Sequence, residues 1–493
     1  MKSWLTKSSI LTGSTAILGG LLVGGAATHL RFAPQIIISA IVLALAIVTD
    51  REFRDLPTLL RPGVVVVLGA VGAGLFSLDL DPSEYETYLS LWTLQLLGFA
   101  AGLILFGRYR RETQVSDVVK PEIISHLPGA TNSIKRIAAA MAIFSFLAFM
   151  AFITTRGLPI LGSDVEQGRV DAASTGTGYL RLVIYLIVPV AILMFCVHAK
   201  SRWALMILAV AMIVGLGNRS PLLYVLAPIV LTALLSTRPR GPSNKTILLI
   251  GLTGAIAVAA IGTFRIASQE EFASYSEYRE DLADGDYAGV AWTSVSQYAR
   301  VVAQNAVLTK QLVDSDQIDL QLGQSYLTLF ITALPGEQLS LDRTIKEASG
   351  RTFVGGGTPP TFMGEGYANL MHFGTLLSSA LLVGVSRFFC RAMLSARAQS
   401  GFGSVTSRLK SAIYGYVLVW SVMAQVAGLA GASTVPLAGF LVLFSITSLF
   451  AASKERVHGT VSDRASRVGS TAGVKSVQSK HKTGLVTSGN WGS

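Results

Sequence analysis

Charge is what this sequence has least of. Only 14% of its 493 residues are Asp, Glu, Lys or Arg, against roughly a quarter in an ordinary soluble domain. A deficit over that length excludes a water-soluble enzyme and makes lipid the main solvent. Cysteine is almost absent too: Cys196 lies inside an apolar run and Cys390 just beyond another. Neither can staple an outward loop, and no Cys/His spacing suits a metal, so no metal site and no cofactor are expected. The net charge of +11 does not indicate nucleic acid, because no basic stripe interleaves with aromatics. The N-terminus has a short basic start and an apolar stretch but no A-x-A cleavage site, and reads as a retained first span.

What is present is long apolar runs. About 20 apolar residues cross a bilayer core as a helix. Twelve such spans are read at 9–28, 34–49, 62–78, 88–107, 136–155, 179–199, 203–217, 220–236, 245–264, 367–386, 411–429 and 435–452. Orientation follows from Lys and Arg. With the N-terminus inside, 28 of the 40 basic residues and 8 of the 29 acidic ones fall on the inner side. Both termini are then cytoplasmic, in a multi-pass protein of the inner membrane. By this assignment no ionisable side chain lies near the middle of a span, which counts against an ion-driven transporter.

The chain therefore divides into helices and basic inner loop at 1–135, a second helical block at 136–264 containing outer loop A (156–178), a large outer loop B at 265–366, helices again at 367–452, and a Ser-, Gly- and Lys-rich inner tail at 453–493 that reads as disordered. Loop B is far longer than a connection needs, which marks it as functional. Within it Trp292, Val295, Tyr298, Val302 and Ala306 recur at helical spacing, predicting an amphipathic helix on the membrane surface or against the bundle. Residues 326–334 are apolar but too short to span, and read as a re-entrant or buried piece.

The outer segments hold the candidate chemistry. Arg219, in Gly217-Asn218-Arg219-Ser220-Pro221, stands where the positive-inside pattern wants no arginine. It is either a residue snorkelling to headgroups or an anchor whose guanidinium forks onto phosphate. Arg156 and Arg265 each directly follow a span, and Arg169, Arg300, Arg343 and Arg351 lie further out. Loop A adds Asp164 and Glu166. Loop B contributes Glu337, and its end reads GGGTPPTFMGEGYANLMHFG (355–374). There Glu365, Tyr367, Asn369 and His372 gather around the start of a span. An acid at that place also suits the dipole of a first helical turn.

Three stretches carry a resemblance: RGLPILGSDVEQGR (156–169), GNRSPLLYVLAPIVL (217–231) and, most specifically, the glycine- and proline-rich turn leading into Gly364-Glu365-x-Tyr367-x-Asn369. With the layout of a dozen spans and two large outer loops, the chain resembles bacterial oligosaccharide repeat-unit polymerases, of the O-antigen or exopolysaccharide type, over most of 135–450. An R-x10-G pattern found in some members is not met at Arg169, which is followed by Gly176 and Gly178. The resemblance implies an all-α polytopic fold with the GT-C-like architecture of membrane-embedded glycosyltransferases. It implies a metal-independent enzyme that joins polyprenyl-diphosphate-linked oligosaccharides at the outer face. Membrane lipids, a chain-length regulator and a flippase are the implied partners. Arg219, Arg265 and Arg169 would then stabilise the departing diphosphate, and Glu365, Glu337 or Asp164 would take the acceptor proton. Arg156, Arg300, Tyr367, Asn369 and His372 would bind substrate. An O-antigen ligase, which carries an outer-loop histidine, and a lipid-linked oligosaccharide flippase are the alternatives.

Overall fold

A computed structural model describes residues 33–75, 80–107, 128–158, 178–216, 220–237, 243–249, 284–331, 340–352, 357–400, 403–431, 437 and 439–449. The chain divides into two units, Met1–Thr447 and Ser448–Ser493, and the architecture below is that of the first. Every regular element among the described residues is helical. In chain order the main helices are α1 (Ala33–Thr49), α2 (Pro62–Leu75), α3 (Pro82–Leu105), α4 (Pro128–Arg156), α5 (Gly178–Ile184), α6 (Ile187–Cys196), α7 (Arg202–Gly215), α8 (Ser220–Thr237), α9 (Tyr287–Asp314), α10 (Gln324–Ile331), α11 (Leu341–Ala348), α12 (Thr361–Ser400) and α13 (Val405–Gly431). Gly439–Leu449 follows as α14. Segments of α3, α4, α12 and α13 are long and apolar enough to cross a membrane.

The expected spans at 34–49, 203–217 and 220–236 coincide closely with α1, α7 and α8. Others differ at their ends. α3 and α4 begin several residues early because Pro82 and Pro128 start each helix, where proline's missing N–H costs nothing. The span at 179–199 is broken into α5 and α6 at Tyr185–Leu186. The span at 9–28, most of 245–264, loop A beyond Leu158 and the tail at 453–493 lie outside the described residues.

α12 and α13 form the centre. α3, α2 and α9 pack on one side of that pair, and α8 packs on α13 with α6 behind it. Two glycines one turn apart on α3 set the closest approach: a side chain on Gly98 would collide with the Leu376 carbonyl, and one on Gly102 would come 2.7 Å from the Ala380 carbonyl oxygen. Small residues four apart are how helices approach closely where burial of apolar area offers no gain. Outward-facing positions are apolar instead of polar, among them Ile37, Ile41, Leu97, Phe144, Ile207 and Phe388. That is the surface of a bundle solvated by hydrocarbon. The amphipathic helix expected in loop B is α9, laid against the bundle with Val302, Ala303, Ala306 and Val307 buried.

At one end the bundle is held by charge. The Arg387 guanidinium donates to Asp50 Oδ1 at 2.6 Å, to Thr49 Oγ1 at 2.7 Å and to the Leu103 carbonyl at 2.8 Å. Both ion-pair partners are fully buried. Asp50 Oδ2 accepts the Gly63 and Val64 N–H groups at the start of α2, two of the orphan donors of a helix N-terminus. One pair thus joins α1, α2, α3 and α12.

Candidate functional site

α12 is not one helix. Leu370 (φ −143°, ψ 32°) and Met371 (φ 52°, ψ −140°) break it, and the arm 361–369 folds back beside the start of the long arm. Thr375 Oγ1 donates to the Met363 carbonyl at 3.0 Å, although residues 12 apart in a straight helix stand about 18 Å apart. Two glycines permit the reversal. Gly374 abuts the Gly366 carbonyl, and a methyl on Gly366 would come 2.7 Å from the Thr375 Cα. The carbonyls freed at the end of the short arm find new donors: the N–H groups of Gln321 and Leu322 donate to Ala368 and Asn369. The segment expected as the start of a plain span is therefore a hairpin of two helical arms.

This hairpin carries Glu365 inward. Phe362 stacks on Phe99 at 6.4 Å between ring centres, Gln95 hydrogen-bonds Gln425, and Leu429, one turn beyond Gln425, donates its N–H to Glu365 Oε2. Residues 95–99 lie just past the middle of the 24-residue α3. A fully buried carboxylate thus sits about halfway along a membrane-length helix, where the sequence reading placed no ionisable group. The reason is the fold-back, which takes Glu365 below the turn that leads into its own helix.

The carboxylate is held on both oxygens. Ser325 Oγ, from α10, donates to Oε1 at 2.9 Å. The Leu429 N–H is available because α13 breaks at Gly428 (φ 77°, ψ 169°), which releases it from helical bonding. Asn369 locks the arrangement: its Nδ2 donates to Ser325 Oγ at 2.7 Å and to the Glu365 carbonyl at 2.8 Å, while its Oδ1 accepts the Gly323 N–H at 2.8 Å. The Gly364-Glu365-x-Tyr367-x-Asn369 motif therefore builds one buried polar cluster with Ser325.

Next to it lies a more open wall. The Tyr367 hydroxyl donates to Asp314 Oδ1 at 2.5 Å. Lys310 pairs with Asp314 and stands 4.8 Å from the centre of the Tyr367 ring, and the exposed His372 meets that ring edge-on at 5.1 Å. Burial alone would raise the Asp314 pKa. Hydrogen bonds from Lys310 and Tyr367 and the charges of Lys310 and His372 outweigh it and hold the carboxyl below its ordinary value. Burial would lower Lys310, yet its bonds and charge contacts to Asp314 and Tyr367 raise it. Both groups are thus fixed as ions at neutral pH. Among the described residues no three His, Cys, Asp or Glu side chains converge on a common point.

The structure unites Glu365, Tyr367, Asn369 and His372. It leaves Arg156 exposed at the end of α4 and places the backbone of Arg300 in α9. Arg351 is engaged in bridging, donating to Asn305 Oδ1 at 2.9 Å and Thr358 Oγ1 at 3.4 Å. Arg219, Arg265, Arg169, Glu337 and Asp164 lie outside the described residues. Sequence reasoning missed Lys310, Asp314 and Ser325. Lys310 and Asp314 are an i,i+4 pair at the end of the amphipathic helix, a signal that was there to read. Nothing local marks Ser325.

An all-helical bundle with membrane-length apolar helices and a polar site set inside it defines a polytopic membrane protein. Residues 32–276, close to half of the chain, match the O-antigen polymerase family model, and over that region the chain is similar to the O-antigen polymerase family. The matched region contains α1 to α8 and the positions of Arg156, Asp164, Arg169, Arg219 and Arg265. It ends before the Glu365 hairpin. No curated protein and no solved structure matches.

Proposed function

We propose that this protein polymerises a surface polysaccharide, joining polyprenyl-diphosphate-linked oligosaccharide repeat units at the outer face of the cytoplasmic membrane. The observation that carries the proposal is the hairpin of α12, which sets Glu365 halfway down an apolar bundle beneath the wall of Lys310, Asp314, Tyr367 and His372. The family match in 32–276 supports the reaction class.

The chemistry assigned to each part follows from its physics. No nucleotide sugar is available outside the cell, so the donor is lipid-linked and its leaving group is a diphosphate. Negative charge grows there as the glycosidic bond breaks. Arg219, Arg265 and Arg169 are assigned to that charge, since fixed cations aimed at developing charge supply large catalytic terms. The Lys310–Asp314–Tyr367 wall offers donors and acceptors to sugar hydroxyls. Asp314, held ionised well below neutrality, is a weak base and serves binding. Glu365 is the carboxylate assigned to the acceptor's proton, reached through the Ser325 hydroxyl. Asn369 keeps the serine and the glutamate in register.

The test is a reaction with the purified full-length protein and a lipid-linked repeat unit. A ladder of products is the expected outcome. A single transfer to a different lipid identifies a ligase, and absence of any new glycosidic bond identifies a transporter. Cells lacking the protein are expected to display single repeat units in place of long polymer.

A further inference from the structure

The end of the bundle opposite the Glu365 turn holds cations of two kinds. Those on α12 are neutralised by the segment 50–55: Arg387 pairs with Asp50 at 2.6 Å, Arg391 with Glu52 at 2.7 Å, and Arg397 lies in the field of Asp55. A second group, where α6 passes into α7 against the first turn of α13, has no such partner among the described residues. Arg408 is only 7% exposed. Its Nη2 donates to the Gly403 carbonyl, but Nε and Nη1 are buried with nothing to bond. Among the described residues no other side chain has two such atoms.

Facing Arg408 are more cations. Arg202 meets His198 Nδ1 through its Nη1, and its guanidinium stands 5.7 Å from the rings of Phe195 and Trp203. Burial, then the charges of Arg408 and Arg202, hold His198 below its ordinary pKa. Lys200 lies on the same connection. The sequence contains no Asp or Glu from 172 to 269 or from 366 to 454, so the two stretches that build this cluster cannot neutralise it themselves. A buried guanidinium with two unmet N–H groups is costly, and like-charged neighbours add to the cost. An anion would relieve both at once. Guanidinium edges fit phosphate oxygens by paired hydrogen bonds.

We propose that Arg408 and Arg202 form a phosphate-binding site, filled by the headgroup of an anionic phospholipid. The lipid is favoured over free phosphate by what adjoins the cluster. Trp203 is 52% exposed and Ile207 65% exposed on α7. An aromatic at headgroup level above an apolar helix face is the surface an acyl chain follows. The inference is independent of the polymerase reading, since it concerns the other end of the bundle.

The test is native mass spectrometry of the full-length protein in neutral detergent, titrated with phosphatidylglycerol or phosphatidylcholine. Thermal midpoints are read in parallel with each lipid and with inorganic phosphate. Phosphatidylglycerol should be retained at least about tenfold better than phosphatidylcholine, and Arg202→Gln and Arg408→Gln should each abolish that preference while Lys410→Gln keeps it. Should Arg408→Gln fail to fold, Arg202→Gln, on a half-buried side chain, carries the test. Equal retention of the two lipids, or an unchanged preference in Arg202→Gln, overturns the site. A midpoint raised as much by inorganic phosphate as by phosphatidylglycerol keeps the phosphate and overturns the lipid as its source.

Discussion

Replacing Glu365 by glutamine separates shape from chemistry. The side chains are nearly isosteric, so no cavity opens. Glutamine's oxygen can still accept the Leu429 N–H, as Oε2 does now. Its amide nitrogen then faces Ser325 Oγ, which donates to the carboxylate at 2.9 Å and already accepts from Asn369 at 2.7 Å. One buried hydrogen bond is lost and two donors face each other, a cost of about 1–3 kcal/mol. Glutamate to alanine strips both bonds and opens a void besides, so it costs more than the glutamine. Glu365→Gln should therefore fold and Glu365→Ala should be far less stable. Fold is read with a thiol-reactive dye, since Cys196 and Cys390 are both buried until the bundle opens. Activity is read from the product ladder. If Glu365 takes the acceptor's proton, Glu365→Gln loses roughly 10²–10⁴ in rate with normal dye kinetics. A folded Glu365→Gln protein that polymerises within about threefold of wild type would refute the assignment and leave Glu365 as a positioning residue.

Asp50→Leu should destabilise the bundle by about 3–5 kcal/mol by stranding a buried guanidinium, while Asp50→Leu with Arg387→Met recovers most of the loss; faster dye labelling of Cys390 in the single variant alone checks this. The Asp314 pKa is depressed on folding and that of Lys310 is raised. Their contribution should be present above the unfolded carboxylate value of about 3.9 and lost as pH falls through the folded one, and lost again as pH climbs past about 10.4. The difference in thermal midpoint between wild type and Asp314→Asn should accordingly persist at pH 7 and vanish in strong acid. Gly428→Ala forces a side chain onto φ 77° and brings its Cβ within 2.6 Å of Glu365 Oε2, so loss of the ladder with at least partial misfolding is expected. Arg219→Ala should abolish polymer at a normal protein level; polymer of normal length would remove Arg219 from the reaction.

The bundle was largely legible because lipid imposes long apolar runs, and nothing else explains so little charge over so many residues. Periodicity also found α9, since Val302 and Ala306 face the core as their spacing requires. The reversal inside α12 was not legible. Leu370 and Met371 are not helix breakers, and Gly366 and Gly374 read as ordinary small residues until their mutual contact is seen. Sequence spacing counts residues along a path, so a chain that doubles back defeats any estimate of depth. Glu365 stands out as a candidate in the sequence, whereas its level beside the middle of α3 follows only from the fold-back. The ion pair of Asp50 and Arg387 was hidden similarly: each stands one residue beyond an expected span and reads alone as an ordinary inner-loop charge.

Depth also bears on how anchor and carboxylate could act on one substrate. α8 runs antiparallel to α13, with Pro228 against Gly415 and Tyr224 against Tyr416 at 5.0 Å. Continuing that register places Ser220, the first residue of α8, level with residue 423 of α13. At 1.5 Å per residue this is about 7.5 Å short of Gly428, where α13 leaves helical geometry just before Leu429, which holds Glu365. Arg219 immediately precedes Ser220 in sequence. The start of α8 thus stops short of the break in α13 beside which Glu365 is held. If Arg219 holds the diphosphate as proposed, it does so from the start of α8 rather than from the far end of the bundle, and Arg219→Ala and Glu365→Gln are then expected to impair the same reaction.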